Sequence, residues 1–205
     1  MNRPEKAGTG TEPKHPSKSA GGATALDLPA VPLDAAIQAY FAKCEEKLGF
    51  VPNVLAAYAF DLDKLKAFIA MADNLMLAPS GLSKLERELI AVTVSCANHC
   101  HYCLIAHGAA VRKYSNDAKL ADTIVANYRA ADIDARTRAM LDFAWKMTVE
   151  PWGIEDADRA RLRATGFKDR DMWDIAAVAG FFNMSNRVAN ATDMHPNEEY
   201  YSMGR

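Results

Sequence analysis

Apolar residues recur at every third or fourth position along most of the chain from Asp34 onward, which is the spacing of amphipathic helices. Residues 61–77 show this spacing plainly, with Leu65, Phe68 and Ile69 on one predicted face. No stretch keeps up an alternation of apolar and polar positions, and the β-branched runs are short and lie inside helical patterns. The pattern therefore predicts an all-α fold.

Capping residues and helix breakers divide this pattern into separate elements. Asp34 is a suitable N-cap, Gly49 a suitable stop, and Ser83 with Glu86 has the spacing of a capping box. A break at Asn98-His99 would put the following cysteine at or near the start of a new helix. The predicted helices cover residues 34–48, 52–58, 61–77, 83–97, 100–114, 117–129, 134–148, 155–164 and 169–191.

The first 24 residues differ from the rest of the chain. They carry Pro, Gly, Ser, Thr and Lys and scarcely any large apolar side chain, so they cannot bury enough surface to offset the entropy of ordering. We predict a disordered tail over residues 1–24 and a single domain over residues 25–205. A chain of 205 residues suits one such domain with a sizeable core.

Composition narrows the functional classes. Half of the residues are apolar and the formal net charge is −2, so nothing resembles a basic surface for nucleic acid. No apolar run approaches the ~20 residues that cross a bilayer, and the N-terminus lacks the apolar core of a secretory signal. We therefore expect a cytoplasmic protein that binds neither nucleic acid nor membrane.

Four chemically reactive residues stand close together in the sequence: Glu88, Cys100, Cys103 and His107. A helix turns by about 100° per residue, so Cys103 would lie about 60° and His107 about 20° from Cys100 around the helix axis. Both sulfurs and the imidazole then share one face. A dithiol needs this closeness to open and close a disulfide, and a nearby histidine can move protons.

The spacing of these residues, E-x11-C-x2-C-x3-H, resembles that of the AhpD-like alkylhydroperoxidases of the carboxymuconolactone decarboxylase superfamily. The segments 48–53, LGFVPN, and 78–83, APSGLS, resemble its peroxidase-related branch. The resemblance covers roughly residues 30–195, an ordinary domain length. It implies an AhpD-like helical bundle, a hydroperoxide substrate, an antioxidant role and assembly into homotrimers or homohexamers.

Thiol chemistry gives this resemblance a concrete reaction. One cysteine attacks the peroxide and becomes a sulfenic acid, and the other condenses with it to form a disulfide. An external dithiol, such as a lipoyl group or a thioredoxin-like protein, must then reduce that disulfide. We expect neither a cofactor nor a bound metal for this chemistry.

The sequence leaves open which sulfur attacks. The positive end of a helix would favour Cys100, whereas the resemblance implies Cys103 as the attacking and Cys100 as the resolving cysteine. Closeness to His107 also favours Cys103, and we adopt that assignment with Glu88 holding His107. The family often has a histidine just before the second cysteine. Here Tyr102 stands there, and a phenol of pKa ~10 is no base near neutral pH.

Three other interpretations compete with redox chemistry. Cys100, Cys103 and His107 could bind zinc, with Glu88 or His99 as a fourth ligand. A non-redox member of the superfamily, such as a lactone decarboxylase-like enzyme, would need no dithiol. An inert buried dithiol is the third, but the polar run 98–101 argues against full burial of the sulfurs. We prefer the redox interpretation.

A polar stripe marks the last predicted long helix. Asn183, Asn186, Arg187 and Asn190 stand at i, i+3, i+4 and i+7. We favour a solvated face or a subunit contact over a role for Arg187 in holding a substrate carboxylate or supporting the site.

Two further predictions concern burial. Cys44 and Cys96 are read as inert core residues. We also expect that a small bundle does not bury all of its aromatic residues and leaves some open to a second subunit. The candidates are Trp145, Trp152, Phe181 and Phe182.

Overall fold

The structure is a computed structural model that describes residues 22–205. Most of the predicted tail, residues 1–21, lies outside the described part of the chain. At the start of the described part, the carbonyl of Ala23 accepts a hydrogen bond from the His195 N–H at 3.0 Å, and the Ala25 N–H donates to the Thr192 carbonyl at 2.9 Å. These bonds attach the start of the described chain to the segment that follows the last long helix.

The fold is all-α, as predicted: the described residues form helices joined by loops, without a strand. Nine predicted helices are present within two residues of their expected ends, and a short tenth was not predicted. Two 3-10 turns, Tyr128–Ala130 and Pro151–Gly153, complete the structure. The helices are α1 Ala35–Leu48, α2 Asn53–Ala57, α3 Leu62–Met76, α4 Lys84–Ala97, α5 His101–Ser115, α6 Ala118–Asn127, α7 Ala135–Val149, α8 Asp156–Ala164, α9 Asp169–Ala191 and α10 Glu199–Ser202.

The predicted caps account for these boundaries. Asp34 accepts a hydrogen bond from the Ile37 N–H at 3.0 Å at the start of α1, and Gly49 ends that helix with a φ of 87°. At the start of α4, the Glu86 N–H donates to Ser83 Oγ at 3.1 Å, and the Ser83 N–H donates to Glu86 Oε2 at 2.7 Å. Each bond satisfies a backbone N–H that the first helical turn leaves without a partner.

Helix α4 is the centre of the bundle. It contacts α5, α6, α7 and α9, and every residue from Leu89 to Ser95 is buried. A helix that is apolar on all sides can be stable only when neighbours cover each side, which fits this position. Its Ile90 and Val94 share the main core with Met140 of α7 and Ile175 of α9.

A second, smaller core surrounds the two cysteines of the C-x-x-C segment. It contains Phe50 and Tyr200, whose rings meet edge to face with centroids 4.9 Å apart. The buried Arg112 of α5 holds the C-terminal segment across this core, donating to the Met203 carbonyl at 2.8 Å and the Tyr200 carbonyl at 2.7 Å. Parts of the chain distant in sequence thus close over the cysteines.

The bundle leaves some of its aromatic residues exposed, as predicted. Trp152 is 81% exposed, and Trp173, which was not predicted, is 73% exposed. Phe181 and Phe182 are buried, so these two candidates are not available to a second subunit. They face the core because α9 packs against α3, α4 and α7. Within residues 22–205, no helix combines the length and apolar character that crossing a membrane requires.

Candidate active site

The candidate site begins at the tight connection between α4 and α5. Asn98 ends α4, His99 takes a left-handed conformation with a φ of 52°, and Cys100 is the N-cap of α5. The Cys100 N–H donates back to the Ser95 carbonyl at 3.0 Å. This connection turns the chain so that α5 runs back along α4, as a short link between helices favours.

The two cysteines meet at the start of α5. Cys100 Sγ accepts the Cys103 N–H at 3.4 Å, so the sulfur caps the helix, and both thiols are free. Both are fully buried, whereas His99 and His101 are exposed. The expected partial exposure of the sulfurs was therefore wrong: the polar neighbours face solvent and the thiols face the interior.

The surroundings separate the two thiols electrostatically. The pKa of Cys100 is lowered, chiefly because the Cys103 side chain donates a hydrogen bond to it, although burial acts the other way. The Cys103 N–H, the charge of His107 and the Asn186 amide lower it further. The pKa of Cys103 is raised by its hydrogen bond to Cys100, by burial and by the Cys100 charge. The surroundings thus favour loss of a proton from Cys100 over loss of one from Cys103.

The structure brings Glu88 and His107 together across the α4–α5 pair. His107 Nδ1 lies 2.6 Å from Glu88 Oε2, and both side chains are largely shielded from solvent. The His107 ring also meets Phe182 edge to face, with centroids 4.6 Å apart. A carboxylate on one imidazole nitrogen fixes the orientation of the ring and leaves the other nitrogen free to exchange protons.

A cavity of about 290 Å³ lies against these residues. Cys103, Glu88 and His107 line it, and Cys100 does not. Its exposed lining residues, Leu77, Lys113 and Tyr114, mark the opening to solvent. Most of the wall is apolar and includes Leu48, Val54, Leu55, Phe68, Ala72, Met76, Ala106, Phe181, Phe182 and Met203. The cavity offers space for a small, largely apolar molecule next to Cys103.

Tyr102 makes a structural contact between two helices. Its hydroxyl accepts the Val54 N–H at 3.1 Å, which ties α2 to α5, and burial raises its pKa well above the ordinary value. This agrees with the prediction that Tyr102 is no base near neutral pH.

The zinc site left open by the sequence is not assembled. Among residues 22–205, no three His, Cys, Asp or Glu side chains are arranged to hold a metal ion.

Cys96 is partly buried and directs its sulfur at the Val125 carbonyl, 3.2 Å away, and burial raises its pKa to about 11. Cys44 lines the cavity, and burial raises its pKa.

The polar stripe of α9 is only partly the solvated face that we expected. Arg187 is exposed and donates to the Asn183 side chain at 2.7 Å, so it does not face the cavity. Asn186 is fully buried and hydrogen-bonds with both sulfurs, and it was not predicted as a site residue. The available signal was its position: an amide three residues from one asparagine and four from another, on a helix that is otherwise largely apolar.

Fold and site together define an all-α protein with a buried dithiol beside a carboxylate–imidazole pair. Comparison with known proteins agrees with this description. The sequence profile described as "Carboxymuconolactone decarboxylase family" matches residues 63–144. No curated protein matches the chain.

Two solved bacterial structures are similar over almost their whole length. An uncharacterized peroxidase-related protein from Silicibacter sp. TM1040 is 60% identical, covers 92% of this chain and 99% of its own, and has a TM-score of 0.89. A peroxidase-related protein from Ralstonia eutropha JMP134, described as an alkylhydroperoxidase AhpD core, is 44% identical over 91% and 98%, with a TM-score of 0.87. The chain belongs to the carboxymuconolactone decarboxylase superfamily and is AhpD-like.

A more distant structure shares the fold. The debrominase Bmp8 is 19% identical over 84% of this chain and 93% of its own, with a TM-score of 0.70. At this identity the similarity concerns the helical architecture alone.

Proposed function

We propose that the protein is a thiol-dependent reductase of organic hydroperoxides with an antioxidant role. The observation that carries this proposal is that Cys103, Glu88 and His107 line one cavity, with Cys100 directly behind Cys103. A peroxidase of this type needs a nucleophilic sulfur, a second sulfur within reach and a proton donor for the leaving oxygen. The names of the two bacterial relatives also favour peroxidase chemistry.

The first step is nucleophilic attack by Cys103. Its thiolate attacks one oxygen of the hydroperoxide, the O–O bond breaks, and an alkoxide leaves. Protonated His107 gives its proton to the alkoxide, so the products are an alcohol and a sulfenic acid on Cys103. Glu88 supports this step because its charge stabilises the imidazolium before the transfer.

The second step forms the disulfide. The Cys100 sulfur attacks the Cys103 sulfur, and the S–O bond breaks. The leaving hydroxide combines with the proton of Cys100 to give water. An external dithiol then reduces the disulfide by exchange, supplying two electrons and two protons and becoming a disulfide itself. A lipoyl group or a thioredoxin-like protein in the cytoplasm would be a suitable donor.

Two observations bear on which sulfur attacks, and they favour different residues. The lowered pKa favours Cys100 as the resting thiolate, whereas the cavity wall gives Cys103 access to substrate. We assign the attack to Cys103, because a peroxide in the cavity would lie next to that residue and not next to Cys100. The hydrogen bond between the side chains offers a route by which the proton of Cys103 passes to Cys100 as the attack begins.

Single cysteine variants test this division of labour. Cys103→Ser should abolish consumption of cumene hydroperoxide with dithiothreitol as reductant, because the nucleophile is lost. Cys100→Ser should leave a sulfenic acid on Cys103 that dimedone traps, detected by peptide mass spectrometry. Cys96→Ser is the matched control and should retain activity. Trapping at Cys100 in the Cys103→Ser variant would reverse the assignment.

The non-redox alternative within the superfamily is separated by one titration. If the proposal is right, one equivalent of hydroperoxide should remove two free thiols from the wild-type protein, and dithiothreitol should restore them. Free thiols that survive several equivalents unchanged would reject the redox function altogether.

A further inference from the structure

Side-chain amides form a connected network directly behind the dithiol. Asn186 of α9 is fully buried, with Nδ2 3.0 Å from Ser95 Oγ and Oδ1 3.0 Å from Asn98 Nδ2. The Asn98 amide nitrogen also reaches Asn183 Oδ1 at 3.1 Å. Asn190 donates from the same helix to the Asn98 carbonyl at 2.9 Å. The network thus joins α9 to the end of α4, two residues before Cys100.

Two hydroxyl groups fix the orientation of these amides, which oxygen and nitrogen positions alone do not settle. Ser95 Oγ donates its single proton to the Ala91 carbonyl at 2.7 Å, so towards Asn186 it accepts and the amide must present its N–H. At the other end, Thr148 Oγ1 donates to the Ala144 carbonyl at 2.8 Å and therefore accepts from Asn183 Nδ2.

The remaining donors follow by counting. Asn183 and Asn186 both present their oxygens to Asn98, which uses its two amide protons on them. Asn186 gives one proton to Ser95 and has one left. The Asn186 side chain hydrogen-bonds with Cys100 and Cys103 and lowers the pKa of each sulfur. The second N–H is the donor that Asn186 has left for this contact. A buried anion needs such donors, because water does not solvate it.

We propose that Asn186 is the thiolate-stabilising residue of the dithiol: its second amide N–H donates to the charged sulfur, and the Asn98–Asn183 network holds that N–H in place. The inference rests on the proposed function only for the reaction in which the thiolate acts. The stabilisation itself is a property of the resting protein.

The other groups around the dithiol determine what the test must control for. His107 adds a positive charge that favours the thiolate of Cys100. Glu88 pairs with His107 and lines the same cavity as Cys103. The buried Tyr102 and Tyr200 also border the site. They are neutral near pH 7 because a phenol ordinarily has a pKa of ~10, and burial raises the pKa of both further. Asn186 is itself uncharged, so replacing it leaves all of these charges unchanged.

The test is a titration of the reduced protein by thiolate absorbance near 240 nm. Asn186→Ala should raise the midpoint of the first thiol by about one pH unit, the tenfold effect of losing one hydrogen bond to an anion. Asn74→Ala is the control: it removes an exposed amide of α3 that takes no part in the network, so its midpoint should equal that of the wild type.

A merely structural role would lower thermal stability without moving this midpoint. An unchanged midpoint in folded Asn186→Ala overturns the proposal. If that variant does not fold, two other variants replace it in the test. Asn186→Ser has a shorter polar side chain that should not reach the sulfurs. Asn98→Ser frees the Asn186 oxygen. Both should raise the midpoint, and no rise in either is equally decisive against it.

The titration uses no peroxide, so its result is independent of enzymatic activity. A raised midpoint together with failure of the wild-type protein to oxidise would reject the peroxidase function and leave the role of Asn186 standing. Normal oxidation with an unchanged midpoint would do the reverse.

Discussion

At the scale of single residues, the short contact between Glu88 and His107 has a functional consequence that substitution can measure. Glu88→Gln keeps the shape of the side chain and removes its charge. Peroxide turnover should fall by roughly one to three decades, the usual loss when general acid–base assistance is removed. Steady-state consumption of cumene hydroperoxide measures this, and Glu46→Gln, an exposed carboxylate of α1, is the control.

The same pair predicts a failure of additivity. If Glu88 acts through His107, Glu88→Gln should have a much smaller effect in a His107→Ala background than in the wild type. Losses that simply add in the double variant would reduce Glu88 to a carboxylate with no part in proton transfer.

The sequence predicted this contact but not the burial of the sulfurs. Glu88 and His107 meet because two helices with a short link run back along each other, which local patterns indicate. The cover over the cysteines comes from Phe50 and Tyr200, whose positions depend on tertiary packing. Asn186 was missed for a similar reason: the stripe on α9 was visible, but only packing against α4 shows that this amide faces inward.

At the scale of helices, the starts of α4 and α9 lie against each other. Ser80 Oγ, just before α4, bonds to Asp174 Oδ2 at 2.6 Å, and Asp171 caps α9 by accepting the Lys168 N–H at 2.8 Å. A Cβ on Gly81 would overlap Asp171 Oδ1 and lie 2.9 Å from its Cγ. Glycine at this position therefore allows the two helix starts to approach.

Substitution by alanine should have opposite effects on stability at Gly81 and at Gly180. Gly81→Ala should destabilise the protein by about 1–3 kcal/mol, because it displaces the capping carboxylate of Asp171. Gly180→Ala, inside α9, would place its Cβ 3.9 Å from Met147 Cε, an ordinary contact, and should stabilise by about 0.5–1 kcal/mol. Urea unfolding of both variants checks the signs, and the same sign for both would contradict this account.

Helix boundaries were predictable because most carry strong local signals. Asp34, Ser83 and Asp134 each accept a backbone N–H of the helix they begin, and those bonds form within a few residues. Helix α10 was missed because it has four residues, no side-chain cap bond and a position that depends on Arg112. Tertiary contacts alone specify such an element.

At the scale of the whole molecule, exposed tryptophans favour self-association. Trp152 and Trp173 are 81% and 73% exposed, which is unusual for the largest apolar side chain. We predict a homotrimer or homohexamer, and light scattering combined with size exclusion gives the mass directly. A mass of 22.4 kDa, that of one chain, at micromolar concentration would contradict the prediction.

The placement of the cavity on the Cys103 side of the dithiol has a kinetic consequence for the proposed reaction. If both hydroperoxide and reductant reach the sulfurs through the opening near Lys113, they cannot occupy the cavity together. Turnover then alternates between oxidation of the dithiol by hydroperoxide and reduction of the disulfide by the external dithiol. Each substrate can also occupy the cavity of the form that reacts only with the other substrate. Excess hydroperoxide therefore slows its own removal. A dithiol at the end of a narrow, flexible chain reaches the buried disulfide more easily than a folded protein does.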